Sequence, residues 1–303
     1  MLALRTECAA VARRARSVAI ERARVDVYAA SLPRGAAAPP DPTAHLLTGS
    51  RETLTAFWLT LDAINFGSGW FPTLAKRGGR SGYFTIATGL RERFAARGPF
   101  SAAELSQIDV DSVAAMTGQD PAHELMGLFA VSLRDLGRHV AQEHGGRFAS
   151  VADSAGGSAV ALALMLGGWA AYADSSGYEE LTVGFLKRAQ IAAADLARAG
   201  VVGFDDLRQL TLFADNLVPH VLRLDGILTF TPELVARIER GELIEHGSSE
   251  EVEIRACALH AVELIVAARA DTCAAEVDQL LWHRGQQSVY KASPRHRSRC
   301  TAY

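Results

Sequence analysis

The chain lacks most of the features that identify a protein at sight. Only four of its 303 residues are cysteine. Cys8, Cys257, Cys273 and Cys300 form no CxxC pair, which excludes a disulfide framework and argues against a structural zinc site. That usage fits a reducing cytoplasm. Charge of one sign is also missing. Against 34 Asp and Glu stand 31 Lys and Arg, a net charge of −3, so no overall basic field draws the protein onto duplex DNA or an acidic membrane. No long hydrophobic run is present either. The uncharged stretch nearest to membrane length, Ser154 to Ala173, carries four glycines and two serines between Asp153 and Asp174, and reads as a buried core helix. Arg13, Arg14, Arg16, Glu21, Arg22 and Arg24 interrupt any apolar leader, and Glu7, Glu21 and Asp26 argue against a transit peptide. There is no GxGxxG after a strand, no GxxxxGK[ST], no HExxH and no GxSxG. The nine histidines are scattered without metal-ligand spacing, so neither a metal nor a cofactor is expected.

What is present is apolar content in helical spacing. Apolar residues make up 49% of the chain, ample for a buried core and incompatible with disorder throughout. Cys8, Val11, Ala15, Val18 and Val25 share one helix face; so do Leu54, Phe57, Trp58, Leu61 and Ile64, behind Ser50 as N-cap. A further helix carries Leu125, Phe129, Leu133, Leu136 and Val140. Ser101 with Glu104, and Ser248 with Glu251, have the spacing of capping boxes. Helices are expected over about 181–199, from Pro232 to Gly241, through Ile254, Leu259, Val262 and Ile265, and over about 273–284. Only Tyr83 to Ala87 resembles a strand, so the fold class is all-α. Proline-rich Pro33 to Pro42 is a linker. The expected organisation is an N-terminal helix and linker over 1–42, a helical domain over 43–290, and a basic, proline-broken, frayed tail over 291–303.

Two constellations suggest chemistry. From Leu196 to Asp225 a helix stops at Gly200, Asp205 caps the next, and that one reaches Phe213, which outlines a helix–hairpin–helix or an ordinary αα-corner. Asp215 then falls at a break before Pro219 restarts the helix. It is either a helix cap or a carboxylate in an apolar recess, next but one to Phe213, suited to stabilising a developing cation. In DQLLWHR, Asp278 and Trp282 share a helix face: a core Trp with a rim carboxylate, or an acceptor for the N–H edge of a flat heterocycle. Lys187 and Arg188 are either a solvated face or candidates for an anionic group.

At these residues the chain resembles the queuosine salvage family, the queuosine 5′-phosphate N-glycosidases. The matching segments are FWLTLDAINF (57–66), GFLKRAQIAAADL (184–196), LTLFADNLVPHVLR (210–223), EVEIRACALHAVELI (251–265) and DQLLWHRG (278–285), in the family's order and covering most of the chain from His45 onward. The resemblance implies a helical fold akin to the helix–hairpin–helix DNA glycosylases. It also implies hydrolysis of the N-glycosidic bond of queuosine 5′-monophosphate, which releases queuine for tRNA modification. It places the catalytic aspartate at Asp215, in Phe213-Ala214-Asp215, and base-binding residues at His45, Phe213, Asp215 and Asp278. Trp282 and His283 fall in the last motif, where the family often has an acidic residue after the Trp and this chain has His283. The Asp-Tyr-Arg frequent in the family is Asp215-Asn216-Leu217 here. Lys187, in a shared motif, is favoured over Arg188 for the phosphate. The expected partner is this small molecule, with no nucleic-acid duplex and no membrane. The alternatives are a helix–hairpin–helix DNA base glycosylase, which needs a basic stripe that Gly200 to Gly203 lacks, and a non-enzymatic helical adaptor with an apolar groove.

Overall fold

A computed structural model describes residues 1–34 and 39–303; part of the Pro33–Pro42 linker, residues 35–38, lies outside the described residues. Helices dominate, with two antiparallel strand pairs among the described residues. The chain begins with α1 (Leu2–Arg14), β1 (Val18–Ile20) and α2 (Arg22–Ser31), then α3 (Arg51–Ala63) and α4 (Gly82–Arg97). Next come α5 (Ala102–Ser106), α6 (Val110–Thr117), α7 (Glu124–Glu143), α8 (Phe148–Asp153) and α9 (Ala159–Gly167). A hairpin of β2 (Ser175–Tyr178) and β3 (Leu181–Gly184) leads into α10 (Lys187–Arg198). After it lie α11 (Leu217–Leu224), β4 (Leu228–Phe230), α12 (Pro232–Glu239), α13 (Ser249–Ala267), α14 (Ala274–Arg284) and α15 (Ser288–Lys291).

Two compact units result. The first takes residues from Met1–Ala38, Asp174–Lys187 and Arg208–Cys300; the second takes Pro39–Ala173, Arg188–Leu207 and Thr301–Tyr303. In the first, α13 is the central rod. Ile254, Ala258, Leu259 and Val262 are fully buried, and α1, α2, α11 and α14 pack around it. The single helix face expected through Cys8, Val11, Ala15, Val18 and Val25 does not form: Cys8 and Val11 pack here on α1, which ends before Ala15, Val18 lies on β1, paired with β4 in the register Val18↔Phe230, and Val25 lies on α2. In the second, α3 packs on α4, α7 and α8, and Phe57, Trp58, Phe129 and Leu133 are buried.

Local signals decide most boundaries. The Ser50 hydroxyl accepts from Thr53 N–H, and Ser101 and Glu104 close a reciprocal capping box. Ser248 caps α13, but the Glu251 carboxylate turns to Gly247 N–H instead of closing the box. Other expectations fail. Tyr83 to Ala87 is helical, because Ser81 caps α4 and a short apolar run alone does not distinguish strand from helix. The helix expected from about 181 starts only at Lys187, since residues 181–184 complete a hairpin turning at Glu179 and Glu180. No helix spans 205–213. There is one 3₁₀ turn, Leu207–Gln209, and Asp206 instead caps α9 through Ser158 Oγ (2.5 Å) and Ala159 N–H (2.6 Å). Nor is the tail frayed: His296, Ser298 and Cys300 are buried, and Arg297 C=O accepts from Ile244 N–H. Among the described residues no helix is long and apolar enough to cross a membrane; Ser154 to Ala173 yields α9 and a 3₁₀ turn at Ala170–Tyr172.

Candidate active site

The segment Leu210 to Asn216 has no regular structure, and Pro219 explains why. A helix running through it would need Pro219 to donate to the carbonyl of Asp215, which proline cannot do. Side chains therefore hold the segment's backbone groups. Phe213 N–H donates to Asp278 Oδ1 (3.1 Å), and Ala214 C=O accepts from Arg255 Nε (2.9 Å). Asp215 Oδ1 accepts from Leu217 N–H (2.7 Å) and Val218 N–H (3.1 Å), which caps α11. The two readings of Asp215 are thus compatible. One oxygen caps the helix, and the other, Oδ2, has no hydrogen bond among the described residues on a half-buried side chain.

Below this segment lies a buried charge cluster that the sequence did not single out. Arg255 and Glu251 on α13 are fully buried. The Arg255 guanidinium meets Asp174 Oδ2 at 2.7 Å and Glu251 Oε1 at 3.6 Å, and lies 3.9 Å over the Phe185 ring. Burial pushes the Glu251 carboxyl up, but Arg255 and then His246 outweigh it and hold it near 2. Hydrogen bonding to Cys300 and then Glu251 raises His246 to about 10. Asp174 Oδ2 also accepts from Lys187 N–H (3.0 Å), and Asp174 C=O accepts from Leu186 N–H (3.3 Å). Leu186 has φ of +54°, a left-handed backbone that a leucine adopts only under external constraint, and Asp174 supplies that constraint. One carboxylate and one guanidinium therefore tie the start of α10 to the backbone beside Asp215. The signal available in the sequence was Arg255 within the apolar run IRACAL, four residues after Glu251.

Asp278 is buried, not on a rim, and Phe213 is buried with it. On the same helix Trp282 and His283 are half-buried with their rings edge to face, centroids 5.3 Å apart. His283 Nδ1 lies 2.7 Å from Gln279 C=O. A carbonyl only accepts, so Nδ1 carries a proton and donates it to Gln279 C=O. Lys187 is buried, as is Arg188, so neither belongs to a solvated face. In the second unit the Arg188 guanidinium donates to Ala63 C=O (2.6 Å) and to Ala171 C=O, over the Phe66 ring. It is a structural cation.

His45 lies in the second unit in an aromatic setting, stacked on Trp58 (centroids 5.2 Å apart, 21° between planes). Its Nδ1 is 3.0 Å from Asp41 C=O and its Nε2 2.9 Å from Tyr83 Oη. Burial lowers its pKa to about 4, so the ring is neutral. Nδ1–H then donates to the carbonyl, and Tyr83 O–H donates to Nε2. Tyr83, expected in a strand, is a residue that sequence reasoning missed here. Of the sequence candidates, the fold brings Phe213, Asp215 and Asp278 onto one hydrogen-bonded segment; Trp282 and His283 follow Asp278 on α14. Among the described residues no group of three or more His, Cys, Asp or Glu is placed to hold a metal ion.

Comparison with known proteins bears on what such a site does. Residues 45–303 match the family model described as queuosine salvage protein. A protein of Sphaerobacter thermophilus is 36% identical over 266 residues, covering 84% of this chain and 82% of that protein. One from Mus musculus is 31% identical over 189 residues (56% of each chain), and one from Dictyostelium discoideum 38% identical over 135 residues (42% of each). All three are named queuosine 5′-phosphate N-glycosylase/hydrolase. With a match that begins at His45 and runs to the last residue, the chain belongs to the queuosine salvage protein family.

Proposed function

We propose that the protein hydrolyses the N-glycosidic bond of queuosine 5′-monophosphate, releasing queuine and ribose 5-phosphate. The observation that carries this reading is the family match over 45–303, joined to a half-buried carboxylate with one open oxygen at the expected catalytic position. Water adds to C1′ of the ribose, the C–N bond breaks with its electron pair moving to the base nitrogen, and that nitrogen takes up a proton. The sugar passes through an oxocarbenium-like state, which a fixed carboxylate stabilises. Asp215 Oδ2 faces that charge and orients the water. Oδ1 cannot swing away, because two N–H groups of α11 hold it. The 7-deazaguanine leaving group has no N7 to protonate, so its departure depends on hydrogen bonds along the rest of the ring.

Phe213 packs on the base and Asp278, which also holds Phe213 N–H, accepts from the base's N–H edge. The family resemblance adds His45 as a base contact; Trp282 and His283 follow on α14. Four free, buried cysteines suit a reducing cytoplasm. Kinship with the helix–hairpin–helix DNA glycosylases is proposed from the resemblance alone, and the irregular stretch before α11 departs from a compact hairpin. The test is incubation with queuosine 5′-monophosphate followed by chromatography for free queuine. Release is expected; none across a range of pH and salt would overturn the reading.

A further inference from the structure

The C-terminal segment holds a cation beside the proposed catalytic carboxylate. Two hydrogen bonds set its course. Arg223, near the end of α11, donates to Pro294 C=O (3.3 Å), and Asn216, just before that helix, donates to His296 C=O (3.1 Å). Residue 295 is therefore pinned alongside α11, between these two bonds, next to the residue that follows Asp215. Arg295 is half-buried and has no hydrogen bond or ion pair among the described residues. Its neighbours differ in this respect. Arg255 is engaged by Ala214 C=O and Asp174, Arg223 by Pro294 C=O, Arg284 by Asp225 and Tyr290, and Lys187 is buried and not without a partner. Burial lowers the pKa of Arg295, and the acid whose charge opposes that shift is Asp215.

A desolvated guanidinium with unused donors is matched best by an oxyanion that offers two acceptors at once. We propose that Arg295 holds the 5′-phosphate of the substrate. The inference rests on the nucleotide hydrolase reading and deepens it. In the free protein Asp215 is the acid whose charge acts on Arg295, and a bound phosphate dianion takes over as its counterion. The Asp215 carboxylate is then left to the sugar cation that develops as the C–N bond breaks. The phosphate would thus favour the reaction as well as binding, which is how remote substrate groups raise turnover.

The experiment measures kcat/KM for queuosine 5′-monophosphate and for the queuosine nucleoside in wild type, Arg295→Gln, Arg295→Lys and Lys187→Ala. Loss of one charge-assisted contact predicts a roughly 10- to 100-fold fall in the nucleotide-to-nucleoside ratio for Arg295→Gln. Arg295→Lys keeps the charge without the fork, so a smaller fall is expected; this variant decides the matter if the glutamine protein does not fold. A parallel loss on both substrates, an unchanged ratio, or a ratio that collapses only in Lys187→Ala overturns the proposal, as does a wild type without preference for the nucleotide. If wild type cleaves neither compound, the activity reading fails and calorimetry with ribose 5-phosphate judges the anion site separately. Binding that weakens at least tenfold in Arg295→Gln sustains it, and equal or absent binding overturns it.

Discussion

The surroundings of Asp215 and of His45 handle buried polarity in opposite ways. Around Asp215 the buried groups are full charges: Arg255 meets Asp174 and Glu251, and backbone groups of Ala214, Lys187 and Gly247 bond to the same three side chains. Around His45 burial has removed the charge, and a neutral imidazole sits on Trp58 between a carbonyl and a tyrosine hydroxyl. The difference follows from pairing. A buried ion persists where an opposite ion lies within a few ångströms, and a buried histidine without one gives up its proton.

The sharpest break in that comparison is Arg255→Met. It leaves Asp174 buried without its cation and Glu251 with His246 alone, and breaking a buried pair in this way costs about 3–5 kcal/mol. The measurement is the urea unfolding midpoint; a loss of under about 1 kcal/mol would mean that the cluster contributes no more than an exposed pair. Next in size, Asp215→Asn keeps a side chain that caps α11 and removes only the charge. Turnover should fall by roughly 10²–10³ or more with the melting temperature nearly unchanged. A variant with most of its activity would make Asp215 a cap and nothing else.

Asp278→Ala should weaken queuine binding by about 1.5–3 kcal/mol, as read by calorimetry, because it removes a charged acceptor and leaves Phe213 N–H unpaired. Asp278→Asn keeps an acceptor for Phe213 and isolates the part due to the base; equal affinity in both variants and wild type would restrict Asp278 to holding Phe213.

The smallest effect is a slope against pH. His45 titrates near 4 in the folded protein and at about 6.5 when unfolded, so between those values only the unfolded chain binds the proton. Stability should therefore fall as pH drops from about 6.5 towards 4. His220 (about 4) and His296 (about 3), also held down by burial, add to the same limb. His246 acts in the opposite sense. Raised to about 10, its contribution is complete below the unfolded value near 6.5 and is lost as pH rises through 10. His45→Gln should flatten the acid limb by up to one proton, about 1.4 kcal/mol per pH unit. An unchanged limb would mean that His45 is protonated in place.

Most of the helical architecture was legible in the sequence because its causes are local. Ser50 and Ser101 cap what they precede, Pro232 opens α12, and the apolar faces of α3 and α7 follow from spacing alone. The family motifs name Phe213, Asp215 and Asp278, which the fold joins through one hydrogen-bonded segment. What local pattern could not reach was the partner of each polar group. Asp205 reads as the cap of a helix reaching Phe213, yet no such helix forms and the neighbouring Asp206 caps α9, some 47 residues earlier in the chain. Arg255 lies in an apolar run and Asp174 at the end of another, and only tertiary packing sets them 2.7 Å apart. Arg295 sits in a stretch whose composition suggests a loose tail, until Asn216 and Arg223 fix its backbone along α11. Helix propensity and capping act over four residues, so one strand of sequence contains them. A buried charge is tolerated only where a distant segment supplies its counterion, and that pairing is set by the fold.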